Sequence, residues 1–112
     1  VRMVIFRVEA PTERARQLAQ LVRRGAAELH EAMPKLRDKK TFRLVEEHIK
    51  EINTIENNGD RVLREALVDI INHKDDLFNL IRWKEIYEML EETTDRMEDI
   101  ADVLQRVIIK NG

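Results

Sequence analysis

The chain has 112 residues, of which 38% are charged and 4% aromatic, with three Gly, two Pro, no Cys and a formal charge of −2. That length suits one domain, the near-neutral charge gives no basic field for nucleic acid, and no recognition motif is present. The lack of cysteine excludes disulfides, thiolate metal sites and cysteine nucleophiles, and no apolar run reaches the ~18–20 residues needed to span a bilayer.

In chain order, VRMVIFRV is apolar from its first residue. It reads as the tail of an earlier element. Pro11 breaks it, because the residue before a proline avoids the α region. A helix is expected from Pro11 or Thr12, where proline is tolerated in the first turn. Its apolar stripe is Ala15, Leu18, Ala19, Val22, Gly25, Ala26, Leu29 and Met33, a 3-4 spacing, and Pro34 ends it. Leu36 to Lys40 forms a short basic link, with Thr41 as the expected cap of a second helix. That helix carries Leu44, Val45, His48, Ile49, Ile52, Ile55, Gly59, Val62, Leu63, Ala66, Leu67 and Ile70 on one stripe. The third helix is expected from near Leu77 to Ile109. Its stripe is drawn through Ile81, Ile86, Met89, Leu90, Thr93, Met97, Ile100, Ala101, Leu104, Val107 and Ile108. Three amphipathic helices with short links predict an all-α, antiparallel three-helix bundle.

Two carboxylate pairs share one spacing: Glu56 and Asp60 in IENNGDRV, and Glu91 and Asp95 in LEETTDRMEDIAD. Residues i and i+4 are helix neighbours, so each pair crowds two negative charges together at a cost of a few tenths of a kcal/mol. A cation reverses that cost, and hard or borderline metal ions take oxygen ligands of this kind. The alternative is a solvated acidic stripe. On a helical wheel centred on Ile52, Glu56 falls inside the apolar arc and Asp60 at its edge. A carboxylate there is costly unless paired with an Arg or Lys or ligated. On the third helix, Glu91, Asp95 and Asp102 fall opposite the apolar stripe. Gly59 costs its helix roughly 0.5–1 kcal/mol relative to Ala, which points to a close helix crossing or to room for a bound group.

Other chemistries find little support. There is no Glu-x-x-His of a di-iron carboxylate bundle, no HExxH, phosphate-cradling glycine loop or GxSxG elbow, and no serine at all. His48 lies on the apolar stripe and reads as a partly buried core residue. His30 and His73 lie near helix ends, within reach of the helix dipoles. Trp83 and Tyr87, at i and i+4, are expected to stack beside the third-helix core.

The stretches INTIENNGDRVLREAL and LIRWKEIYEMLEETTDRMEDIADVLQRVIIKNG resemble the PhoU-like family of phosphate transport regulators, accessory proteins of Pit-type transporters. LEETTDRMEDIA is similar to that family's Leu-Glu-x-x-Gly-Asp-x-x-x-x-Ile-Ala pattern at Leu90, Glu91, Asp95, Ile100 and Ala101. Thr94 replaces the glycine, which narrows the approach to that site. The resemblance covers nearly all of the chain, most specifically residues 49–112. It implies two three-helix bundles in tandem. Residues 1–10 would then be the end of a connecting helix from a missing N-terminal half, and residues 11–112 the second bundle.

The resemblance further implies a surface metal site, of iron or zinc, at Glu56, Asp60, Glu91 and Asp95. Asp99 is a weaker fifth candidate, since it stands where the family often has Asn. The expected function is a regulatory or accessory role in inorganic phosphate transport, not an enzymatic one. The expected partners are a phosphate transporter or other proteins of phosphate regulation. A cytoplasmic location, peripheral contact with a membrane and homo-oligomers belong to the same expectation. The alternative is a metal-free helical protein-interaction module.

Overall fold

A computed structural model describes residues 12–73 and 77–111. The expectations for residues 1–10 and for the link around Lys74 to Asp76 lie outside the described residues. The described chain is an all-α three-helix bundle. Helix α1 spans Glu13–Ala32, α2 Phe42–His73 and α3 Leu77–Asn111, and each touches the other two. At ~1.5 Å per residue these run about 30, 48 and 52 Å, against a longest molecular dimension of 55 Å. Short links at both ends make sequential neighbours antiparallel.

Thr12 starts α1. Its extended backbone and its hydroxyl, which accepts from Ala15 N at 3.1 Å, make it the N-cap. Such a cap satisfies one of the orphan donors of a helix end. Pro34 stops the α geometry, and two 3₁₀ turns, Met33–Arg37 and Lys39–Thr41, carry the chain round to α2. Thr41 does not cap α2 in the expected sense. Its hydroxyl turns back to the link, 2.5 Å from Lys35 O, while Asp38 caps the second turn by accepting from Lys40 N.

The core falls into two clusters along the bundle. One gathers Ala32, Val45, Ile49, Ile52, Met97, Ala101, Leu104 and Ile108. The other gathers Ala15, Leu18, Leu21, Ile55, Val62, Ala66 and Tyr87. Leu18 and Ile52 are 0% and 1% exposed. Leu18→Ala or Ile52→Ala is therefore expected to cost about 2–5 kcal/mol, read as a lower urea midpoint at unchanged m-value. The same change at Leu44, 46% exposed, should cost far less.

Helix α3 departs from its expected face. Its buried line is Tyr87, Glu91, Thr94, Met97, Ala101, Leu104 and Ile108. Met89, Ile81, Ile100 and Val103, of which all but Val103 were assigned inward, are exposed. The cause is that α3 carries apolar residues on two faces, so a stripe drawn through all of them has the wrong centre. Glu91 is thus a buried residue, not one on the outer face.

Polar contacts fix the register between helices. Arg14 on α1 donates to Glu65 Oε1 and Asp69 Oδ2 on α2, both at 2.9 Å. Arg24 meets Glu51 at 2.7 Å. His48 is partly buried and lies 2.6 Å from Glu28 Oε1 through Nδ1. Lys35 Nζ lies 3.3 Å from its Nε2. A lysine can only donate, so that contact places the ring proton on Nδ1, facing Glu28.

Candidate metal centre

The carboxylates lie on the α2–α3 seam, at the level where the two core clusters meet. On α2, Ile52 and Ile55 are buried on either side of that level, and Glu56 follows on the same face at 9% exposure. On α3, Glu91 is 8% exposed. Asp60 and Asp95, one turn further along each helix, are half-buried. Each of the four offers an oxygen lying within 4.8 Å of the other three. Two i, i+4 pairs on neighbouring helices thus converge on one spot.

Gly59 makes this approach possible. A Cβ there would lie 3.0 Å from Thr94 Oγ1, with the other side-chain carbons of Thr94 at 3.8 Å. Thr94 fills the space that the glycine leaves, and its hydroxyl donates to Glu91 O at 2.7 Å.

The electrostatics are those of four crowded carboxylates. None of the ion pairs between described residues involves Glu56, Asp60, Glu91 or Asp95. Burial first, then the neighbouring Asp95 and Asp60, push the Glu56 carboxyl up to about 7. Burial, then Asp60 and Asp95, push Glu91 up to about 8. Like charges this close cannot all ionise, so Glu56 and Glu91 hold their protons to a higher pH than free carboxyls do. Glu91 Oε2 is buried and has no hydrogen-bond partner among the described residues. Such an atom costs about 1–3 kcal/mol unless something binds it.

These donors fit a metal ion. Oxygens opposite one another around a calcium-sized ion lie about 4.8 Å apart, and around a smaller ion about 4.2 Å apart. The first matches the observed spread, and the second needs only small side-chain rotations. An all-carboxylate set suits hard ions such as magnesium, calcium and manganese. Zinc more often draws on nitrogen and sulfur.

Asp99, the fifth expected ligand, is exposed and stands outside the group of four. Glu98 lies closer in. Its carboxyl is raised by burial and by Asp102, Asp95, Asp99 and Asp60. Sequence reasoning passed over Glu98, although its place seven residues after Glu91 puts it on the same helical face. Trp83 and Tyr87 stack at 5.4 Å, and Tyr87 Oη meets Thr12 Oγ1 at 2.7 Å. They sit towards the α1 N-terminal end of the bundle, with Tyr87 one turn before Glu91 on the buried line of α3.

Comparison with known proteins gives one curated relative. The UPF0111 protein YkaA of Bacillus subtilis (strain 168) is 27% identical over 110 residues. The alignment covers 98% of this chain and 53% of the relative, so the chain spans about half of that protein's length. No family model and no solved structure matches. No helix among the described residues is long and apolar enough to cross a membrane.

Proposed function

We propose that the chain is a metal-binding regulatory or accessory module of inorganic phosphate transport, with no catalytic role of its own. The supporting observation is the convergence of Glu56, Asp60, Glu91 and Asp95 to within 4.8 Å. Glu91 Oε2 is also buried with no hydrogen-bond partner among the described residues. The resemblance of both Glu-x-x-x-Asp segments to PhoU-like regulators supplies the biological setting. The four side chains hold the cation, and the cation offsets the repulsion that carboxylates alone exert on a phosphate anion. Thr94 and Gly59 hold the two pairs at ligating distance. Partner binding, to a transporter or to another protein of phosphate regulation, uses the bundle surface.

Elemental analysis of the purified chain tests this directly. Iron, zinc or another divalent ion is expected in the wild type and absent from Glu56→Ala/Asp60→Ala. Phosphate should bind to the metal-loaded form and not to the stripped one. Equal phosphate binding in both would remove the metal from the account.

A second reading has its own support. Met89, Ile100 and Val103 are exposed along α3 at 67%, 40% and 47%, as in a helical module that meets another protein without a metal. That reading expects Glu56→Ala/Asp60→Ala to keep wild-type partner binding.

A further inference from the structure

The seam between α1 and α2 carries a groove of about 380 Å³, lined by the described parts of these two helices. Leu21 and Val62, 7% and 3% exposed, form its floor. Gln17 and Gln20 on α1 and Asn58 on α2 line its walls, with Arg24 on α1 and Arg61 on α2 beside them. The spacings explain the alignment. Positions 17, 20, 21 and 24 share one face of α1, and 58, 61 and 62 share one face of α2. No carboxylate lines the groove, although acidic residues outnumber basic ones in the chain as a whole. The arginines are tethered towards opposite ends. Arg24 Nη2 donates to Glu51 Oε2 at 2.7 Å, and Arg61 Nη1 donates to Glu65 Oε1 at 3.3 Å. Each pair uses one nitrogen of a guanidinium, and the other nitrogens keep their donors. Glu51 and Glu65 stand about 21 Å apart along α2 at ~1.5 Å per residue. Guanidiniums drawn towards those two anchors are too far apart to share one small anion. An extended chain of about six residues, at ~3.3 Å each, spans the distance. Side-chain amides suit such a chain, because each offers a donor and an acceptor to a peptide backbone. Arg14 Nη1 donates to Gln17 Oε1 at 3.4 Å, which leaves the Gln17 NH2 open to the groove.

We propose that this groove docks an extended acidic segment of a partner protein. Carboxylates of that segment pair with Arg24 and Arg61, its backbone pairs with the three amides, and an apolar side chain rests on Leu21 and Val62. Charge complementarity carries the proposal: guanidinium and carboxylate match as charge-assisted, bidentate pairs, and the lining offers no competing negative charge. It deepens the proposed partner binding by naming the face that is used, and it rests on that reading for a protein partner but not for a metal. The groove lies on the α1–α2 seam, and the four carboxylates lie on the α2–α3 seam.

Fluorescence anisotropy of a fluorescein-labelled octapeptide of Asp, Glu and Leu tests this on the full chain in chelator. Metal has no part in that measurement, so its outcome and that of the elemental analysis are independent. The wild type should bind saturably, and less tightly as salt rises, because the charges lie at the surface. Arg24→Gln/Arg61→Gln should bind roughly tenfold more weakly, or not at all, since two charge-assisted pairs are lost. The two side chains are 49% and 54% exposed, and exposed ion pairs contribute little to stability, so the variant should fold. Should it not, heteronuclear NMR of the wild type gives the second measurement: the peptide should shift the side-chain amide signals of Gln17, Gln20 and Asn58. An octapeptide of Asn, Gln and Leu with the same label should not bind. The proposal is overturned by a wild type that does not bind, by equal binding of the folded Arg24→Gln/Arg61→Gln or of the neutral peptide, or by shifts confined to α3. Displacement of the peptide by succinate at a matched carboxylate concentration also overturns it and assigns the groove to small dicarboxylates.

Discussion

Stripped of metal by a chelator, the protein should melt at a lower temperature at pH 8.5 than at pH 5. The Glu56 and Glu91 carboxyls lie at about 7 and about 8 in the fold, against an ordinary 4.5. Folded protein therefore holds protons that unfolded protein releases. Stability from this source is fully present below the unfolded value and is lost as the pH rises through the folded ones. One unit of difference corresponds to about 1.4 kcal/mol. With solvent screening at the half-buried Asp60 and Asp95, a net loss of about 2 kcal/mol is expected, or roughly 10 °C in a domain of this size. Glu91→Gln should flatten most of the slope and raise the melting temperature at pH 8.5, since a neutral amide takes the place of a buried charge. A divalent ion should reverse the slope in the wild type and leave Glu91→Gln little changed, because metal and protons compete for the same oxygens. A melting temperature that stays level or rises from pH 5 to 8.5 in chelator would contradict the crowded buried site described above.

Gly59→Val should lower metal uptake with every ligand still in place. A Cβ at position 59 already lies 3.0 Å from Thr94 Oγ1, and a branched side chain adds two methyls to that contact. Overpacking of this kind costs about 1–3 kcal/mol. It does so by separating α2 from α3, which also opens the distance between the Glu56–Asp60 and Glu91–Asp95 pairs. Thr94→Ala removes the opposing group, so the double variant should recover much of the metal stoichiometry that Gly59→Val loses. Denaturant melts and elemental analysis on the same four proteins separate packing from ligation. Full metal content in Gly59→Val would mean that the helix approach does not set the site.

The α2 half of this site was legible in the sequence. Its apolar residues lie on one face, so Glu56 could be placed inside the arc and Asp60 at its edge by counting alone. The α3 half was not. Ile81, Met89, Ile100 and Val103 face outward, and a helix with apolar residues on both sides has no unique inner face to count from. Glu91 was consequently assigned to the wrong side, and Glu98 was overlooked. The pairing of Gly59 with Thr94 was out of reach for a different reason. It depends on the vertical register of two antiparallel helices, α2 and α3, and no local pattern encodes it. The bundle itself followed from periodicity and link length, which are local.

The close contact between α1 and α3 has a bearing on oxidative damage. A Cβ on Gly25 would run into the sulfur of Met97, so that thioether fills the gap which the glycine leaves. With no thiols in the chain, thioethers are the sulfur that peroxide meets first. Met33 and Met89 are 48% and 67% exposed, and Met97 is 8% exposed. Oxidation turns a flexible apolar side chain into a polar sulfoxide. At the two exposed positions the added oxygen enters water and disturbs nothing. At Met97 it has neither water nor space, and it would wedge α1 from α3. Among the described methionines, Met33 and Met89 should therefore oxidise before Met97, whose exclusion from solvent guards the contact that its sulfoxide would spread.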